Sequence, residues 1–297
     1  MNNVRRQLFK QLALAGVGAG SLGALSPLTL ATGNATGTEP LKGNIRHSVS
    51  RWTYGELSIE ELCQVVKTLG FSAIDLVGPG DWPVLKKYGI DSSMCNGAEL
   101  NLTDGWADKK FHAQLIPRYL KHIDLVAEAG YTNLVCFSGN KRGISREAGL
   151  SNAVQGLKQI LPHAEKRRVV LQMELFNSKV DHPDYMADNS AWGIALCKAL
   201  GSQHFKLLYD IYHMQINEGD IIRTIRDNHV YFGHYQTAGV PGRHEIDESQ
   251  ELNYRAIARA IKDVGFTGYL GQEFIPTPPT LNGKIASLRE AVAICDV

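Results

Sequence analysis

Four oxygen-bearing side chains, Glu174, Asp210, Gln236 and Glu273, each close a short apolar run in the second half of the chain. They follow Val-Leu-Gln-Met, Lys-Leu-Leu-Tyr, His-Tyr and Leu-Gly-Gln respectively, and are 36, 26 and 37 residues apart. Each interval is close to one strand plus one helix, so the four positions recur at equivalent places in successive units. A carboxylate ending an apolar strand is costly unless it is paired or bound to a metal. Three acids clustered without a cation would also repel one another strongly. Two glutamates, an aspartate and a glutamine offer only oxygen, the donor set of a hard divalent cation: Mg or Mn first, with Co and Zn as further candidates.

The elements that must hold these residues are short apolar runs alternating with longer amphipathic stretches from about residue 44 onward. Candidate strands are 45–50, 73–77, 90–95, 133–138, 169–175, 205–211, 230–236 and 269–274. Helical periodicity falls on 59–69, 111–129, 152–166, 188–200, 221–228 and 253–264. Strands separated by helix-length segments imply right-handed β-α-β units and a parallel sheet. Eight of them fit a single-domain α/β fold, a (β/α)8 TIM barrel, and no G-x-G-x-x-G follows the first strand to favour an open dinucleotide-binding sheet. In a barrel the active site lies at the C-terminal ends of the strands, where the four residues fall.

The first 35 residues have a different composition. Arg5 and Arg6 precede an apolar, Gly/Ala-rich stretch from Leu12 to Leu25, and small residues around Ala31 and Ala35 offer cleavage points. The pattern predicts a twin-arginine export signal over 1–35, a catalytic domain over 36–297 and a periplasmic or otherwise exported location. The stretch is too short and too glycine-rich for a stable membrane span. The whole chain carries 31 Lys+Arg against 30 Asp+Glu. Loss of Arg5, Arg6 and Lys10 leaves 28 against 30, a mildly acidic protein unsuited to a nucleic-acid backbone. The partner is therefore expected to be a small molecule, with a homo-oligomer left open. Five widely spaced cysteines without a C-x-x-C pair predict buried thiols and no disulfide framework.

The segments Glu174-Leu-Phe-Asn-Ser-Lys-Val-Asp181, Asp210-Ile-Tyr-His-Met-Gln215, Gly233-His-Tyr-Gln236 and Pro241-Gly-Arg-His-Glu245 resemble those of hydroxypyruvate isomerases, within the xylose-isomerase-like TIM-barrel superfamily. The resemblance is sharpest between about residues 170 and 275. It implies that Glu174, Asp210, Gln236 and Glu273 are the metal ligands, and that Glu174 and Glu273 form the acid/base pair. The implied reaction is aldose-ketose isomerisation: the metal chelates the substrate's carbonyl and hydroxyl oxygens, and the glutamates move a proton between adjacent carbons through an enediolate.

His213, three residues past Asp210, and Arg243 with His244, in a Pro/Gly-bounded loop, are candidate substrate-binding residues. His234 shares strand parity with Gln236 and is either a core histidine or the seventh-strand ligand. Trp52, Trp82 and Trp106 fall in loops on the catalytic face, where they either stack on a sugar or pack beneath the loops. Lys141-Arg142, after the fourth strand, either contacts an anionic substrate or forms a solvated basic turn, the commoner role. An alternative within the superfamily is an exported keto-sugar or 3-keto-glycoside epimerase or lyase, which the leader favours. An apurinic endonuclease would need more strand-end histidines and a basic groove. A non-catalytic sugar-binding barrel would be expected to have lost Glu174 or Glu273.

Overall fold

Eight parallel strands carry the part of the chain that the computed structural model describes, residues 40–297. The export signal read in residues 1–35 lies outside the described residues. The strands are β1 (Arg46–Ser50), β2 (Ala73–Asp75), β3 (Asp91–Ser92), β4 (Asn133–Cys136), β5 (Val170–Glu174), β6 (Phe205–Asp210), β7 (Phe232–Thr237) and β8 (Tyr269–Gln272). Their order is β3-β2-β1-β8-β7-β6-β5-β4. Beyond β3, Cys95 bridges Leu134 of β4, its N–H donating to the Asn133 carbonyl at 2.9 Å, and this contact closes the ring. The chain folds as the TIM barrel expected from its alternation of elements.

The helices form because their apolar residues recur on one face and their ends are capped. In α1 (Ile59–Thr68), Ser58 and Glu61 make a reciprocal capping box, while Ile59, Leu62, Cys63 and Val66 bury the inner stripe. Each such aliphatic side chain contributes about 1.5–3 kcal/mol by leaving water. Helices α2 (Trp82–Tyr88) and α3 (His112–Glu128) follow. The single helix expected over 152–166 is instead two, α4 (Arg146–Leu157) and α5 (Leu161–Arg167). Ser145 caps the first earlier than expected, and Pro162 sits in the first turn of the second, where its missing N–H costs nothing. The remaining helices are α6 (Ser190–Leu200), α7 (Ile211–Asn217), α8 (Ile221–Asn228), α9 (Tyr254–Asp263) and α10 (Leu281–Cys295). No helix among the described residues is long and apolar enough to cross a membrane. All five cysteines are buried and free.

All eight strands are shorter than the apolar runs that predict them, as β2, β3 and β7 illustrate. Leu76 takes φ +55°, so β2 stops at Asp75. Only Asp91–Ser92 of the 90–95 run pairs continuously. His229–Tyr231 winds into a 3-10 turn, so β7 starts at Phe232 and extends to Thr237.

His47 on β1 is 2% exposed, neither ring nitrogen has a hydrogen-bond partner, and Phe71 lies edge-on to it at 6.5 Å. Burial lowers its pKa to about 4, against a weaker opposing pull from Asp296. The unfolded chain therefore binds more protons than the folded one between pH 6.5 and about 4. The neutral ring's contribution is fully present above pH 6.5 and is lost as the pH falls through that window. Between pH 7.5 and 4.5 the wild type is expected to lose about 2–3 kcal/mol more unfolding free energy than His47→Leu, measured by urea denaturation. Equal losses in the two proteins would show that His47 titrates as if solvated.

Candidate metal and proton-transfer site

Glu174 and Asp210 are the last residues of β5 and β6, Gln236 is the penultimate residue of β7, and Glu273 directly follows β8. Register pairs Asp210 with Gln236 and Gln236 with Gly271, so all four side chains share the inward parity at one end of the barrel. None is more than 2% exposed. Among the described residues no side chain donates a hydrogen bond to the Glu174 carboxylate. Burial, and then the charges of Glu273 and Asp210, hold its pKa well above the usual carboxylate range. Burial also pushes Asp210 up, with the Arg243 charge opposing it.

Glu273 is held firmly by comparison. Ser50 Oγ and Trp52 Nε1 donate to its Oε1 at 3.1 and 2.7 Å, and Arg243 Nη2 donates to Oε2 at 2.5 Å. The same Nη2 lies 3.2 Å from Asp210 Oδ2, and Nη1 lies 3.0 Å from His213 Nε2. Arg243 is 5% exposed, with Trp52 and Tyr212 flanking its guanidinium at 5.3 and 5.2 Å. It reaches inward because the loop after β7 turns back on itself: Arg243 N–H donates to the Gly239 carbonyl, and Arg243 adopts φ +63°. A left-handed conformation at a non-glycine residue persists only where its surroundings over-determine it.

Asp210 has two tasks. Its Oδ1 caps α7, accepting from the Tyr212 and His213 N–H groups at 2.9 and 3.3 Å. Its Oδ2 is left facing Arg243 and, at 3.4 Å, His213 Nε2. Asn177 Nδ2 lies 2.7 Å from His213 Nδ1 and fixes the ring from the other side. One ligand atom each from Glu174, Asp210 and His213 lie within 4.8 Å of one another, a spacing that could hold a metal ion. Phe176 stands edge-on to His213 at 4.9 Å and stacks on Phe137 at 5.6 Å, so an aromatic wall rises beside the acids.

The substrate-binding candidates separate here. His213 and Arg243 are brought into the acid cluster, whereas His244 is exposed on the rim with its Nδ1 3.0 Å from the Ile275 carbonyl. Trp52 touches Glu273, but Trp82 and Trp106 are buried core residues. Trp82 begins α2 rather than lying in a loop and donates Nε1–H to the Val77 carbonyl. Lys141 pairs with Asp188, and Arg142 with Asp104. His234 lies two residues before Gln236, inside the barrel, with Nε2 3.1 Å from Asp75 Oδ2. Asp75, Ser50 and Asn177 were missed. A polar residue ending the apolar run Phe71-Ser-Ala-Ile-Asp75 was the available signal for Asp75.

Whether a divalent cation suits this cluster can be judged from two observations. Gln236 Oε1 is buried without any partner. Three buried carboxylates, Glu174, Asp210 and Glu273, face a single guanidinium, so charge balance is short of positive charge. An all-oxygen set lacking cationic charge fits a hard divalent ion.

A family model described as xylose isomerase-like TIM barrel matches residues 51–291. A 2-oxo-tetronate isomerase of Cupriavidus necator is 36% identical over 120 residues, which cover 40% of this chain and 45% of that one, less than half of the relative's length. A 2-oxo-tetronate isomerase of Haemophilus influenzae is 24% identical over 242 residues, 77% of this chain and 93% of that one. Among solved structures, the E. coli 3-keto-D-glucoside 4-epimerase superposes with a TM-score of 0.70 at 18% identity, covering 84% of this chain and 99% of that one. At that identity the likeness is one of fold.

Proposed function

The chain belongs to the xylose isomerase-like TIM-barrel family, and from that premise we propose that it is a divalent-metal-dependent isomerase. Its substrate would be a small hydroxy-carbonyl acid of the hydroxypyruvate or 2-oxo-tetronate class, the latter being the class for which both curated relatives are named. One observation carries this reading: Glu174 and Glu273, on β5 and beside β8, face one buried cluster with Asp210 and Gln236.

Glu174, Asp210, Gln236 and Glu273 would hold the ion, with His213 beside them. A bound divalent cation supplies Lewis-acid polarisation of the substrate carbonyl. The chain's own groups do the rest. Of the two glutamates, one takes the proton from a substrate carbon and the other returns it to the neighbouring carbon. Ser50, Trp52 and Arg243 fix the Glu273 oxygens, so this carboxylate meets the substrate without reorienting. Arg243 adds fixed positive charge beside the developing enediolate. Trp52, Tyr212 and Phe176 keep bulk water from the acids.

A second reading, a keto-sugar or 3-keto-glycoside epimerase or lyase, draws on the fold shared with the E. coli 3-keto-D-glucoside 4-epimerase. One experiment separates the two. The full chain, supplied in turn with Mg, Mn and Co, is incubated in heavy water with hydroxypyruvate, tartronate semialdehyde, 2-oxo-tetronate and 3-keto-glucosides. Interconversion of the small acids with deuterium entering carbon supports the isomerase, and turnover of only the keto-glucosides supports the second reading. Metal binding without turnover of any substrate overturns both. Export through residues 1–35 is tested by cell fractionation of the wild type against an Arg5→Lys, Arg6→Lys variant, which is expected to stay in the cytoplasm.

A further inference from the structure

Beneath the acid cluster lies a second buried polar group that the proposed reaction does not use. Asp75, at the end of β2, is fully buried and reaches across the barrel interior to β7. Its Oδ2 accepts from Gln236 Nε2 at 2.9 Å and lies 3.1 Å from His234 Nε2, while its Oδ1 accepts from Ser93 Oγ at 2.9 Å. Gly271 on β8 makes room for this crossing. A Cβ there would stand 2.8 Å from Asp75 Oδ2 and 3.3 Å from both His234 Nε2 and Ser48 Oγ.

We propose that Asp75 is a positioning residue that sets which end of the Gln236 amide faces the metal site. This inference rests on the reading of Gln236 as a ligand. A side-chain amide has a donating end and an accepting end of nearly equal size, and only the oxygen can bind a cation. A carboxylate only accepts, so the end of Gln236 that meets Asp75 must be the NH2 group. The oxygen is then forced to the opposite side, where it is buried and has no protein donor. A glutamine ligand therefore needs an acceptor behind it, whereas a glutamate ligand in the same place would not. Partners behind a ligand that fix its orientation typically change metal affinity 10- to 100-fold when removed.

The test uses the full chain with Mn2+ alone, followed by calorimetry and by the electron paramagnetic resonance of free Mn2+, with no substrate present. Asp75→Leu is expected to weaken Mn2+ binding at least 10-fold, because the amide is free to flip. Asp75→Asn keeps an oxygen toward Gln236 and turns its own NH2 to Ser93 Oγ, and is expected to stay within about threefold of wild type. The deciding variant is Asp75→Leu with Gln236→Glu, which presents oxygen in either orientation and is expected to regain most of the lost affinity. Should Asp75→Leu fail to fold, Gly271→Ala displaces the same carboxylate and is expected to weaken Mn2+ binding in the same sense, with Gln236→Glu restoring it. Wild-type affinity in Asp75→Leu, or no recovery in the double variant, overturns the inference. Failure of the underlying reading looks different: Mn2+ would not bind the wild type, or Gln236→Leu would bind it unchanged.

Discussion

Replacing Glu174 by Gln is expected to lower kcat by about 10^3-fold while leaving the protein at least as stable as the wild type, a combination that marks a residue placed for chemistry. No side chain among the described residues donates to the Glu174 carboxylate, so the amide breaks no hydrogen bond. Burial and two neighbouring acids already raise its pKa, so removing the charge relieves a repulsion. Glu273→Gln is expected to lose kcat to a similar degree, but at a structural cost. Its Oε1 accepts from Ser50 and Trp52 and its Oε2 from Arg243, and an amide turned to satisfy one side presents NH2 to a donor on the other. That mismatch costs about 1–3 kcal/mol of unfolding free energy. The check is kcat at saturating Mn2+, with metal occupancy measured separately, beside thermal unfolding of the metal-free proteins. Either variant turning over normally would remove its glutamate from the acid/base pair.

The strand ends were legible because chemistry and folding make opposite demands there. An apolar run buries itself unaided, so a Glu or Asp at its end costs energy that only a partner or ligand can offset. Glu174, Asp210, Gln236 and Glu273 stood out for that reason, and their spacing of about one repeat predicted that the fold would gather them. The barrel was legible for a related reason, since short apolar runs and period-3.6 amphipathic stretches alternate along the chain. Helix α7 was not, because Asp210 serves at once as last strand residue and N-cap, leaving no loop between the elements. The inward swing of Arg243 was hidden as well. A Pro-Gly-Arg-His string marks a turn, but only the contact between the Gly239 carbonyl and Arg243, and the left-handed backbone at 243, decide that the arginine points in and His244 points out. Asp75 depends on a partner five strands later in sequence, and no local pattern joins the two.

Arg243→Met is expected to cost the metal-free protein about 3–5 kcal/mol of unfolding free energy, the usual result of deleting one partner from a buried ion pair. Methionine fills much of the aliphatic volume, so packing against Trp52 and Tyr212 is largely kept and the loss is electrostatic. The wild-type guanidinium meets Glu273 at 2.5 Å and Asp210 at 3.2 Å, in a position 5% exposed where water cannot take over its role. Without it, Glu174, Asp210 and Glu273 face one another with no cation, and the variant must either take up protons or open the site. A divalent ion carries the missing charge, so the loss should depend on metal. Saturating Mn2+ is expected to raise the Tm of Arg243→Met by several degrees more than it raises that of the wild type, by mass action on a site now lacking its internal cation. Differential scanning calorimetry with and without Mn2+ measures both quantities. An equal metal-induced shift in the two proteins would show that the arginine and the metal do not share these carboxylates. A small loss in the metal-free state would show that the ion pairs of Arg243 with Asp210 and Glu273 contribute little to stability. If both expected results hold, the two cations have complementary parts: the arginine keeps the empty barrel mouth folded, and the metal completes the charge balance when it arrives.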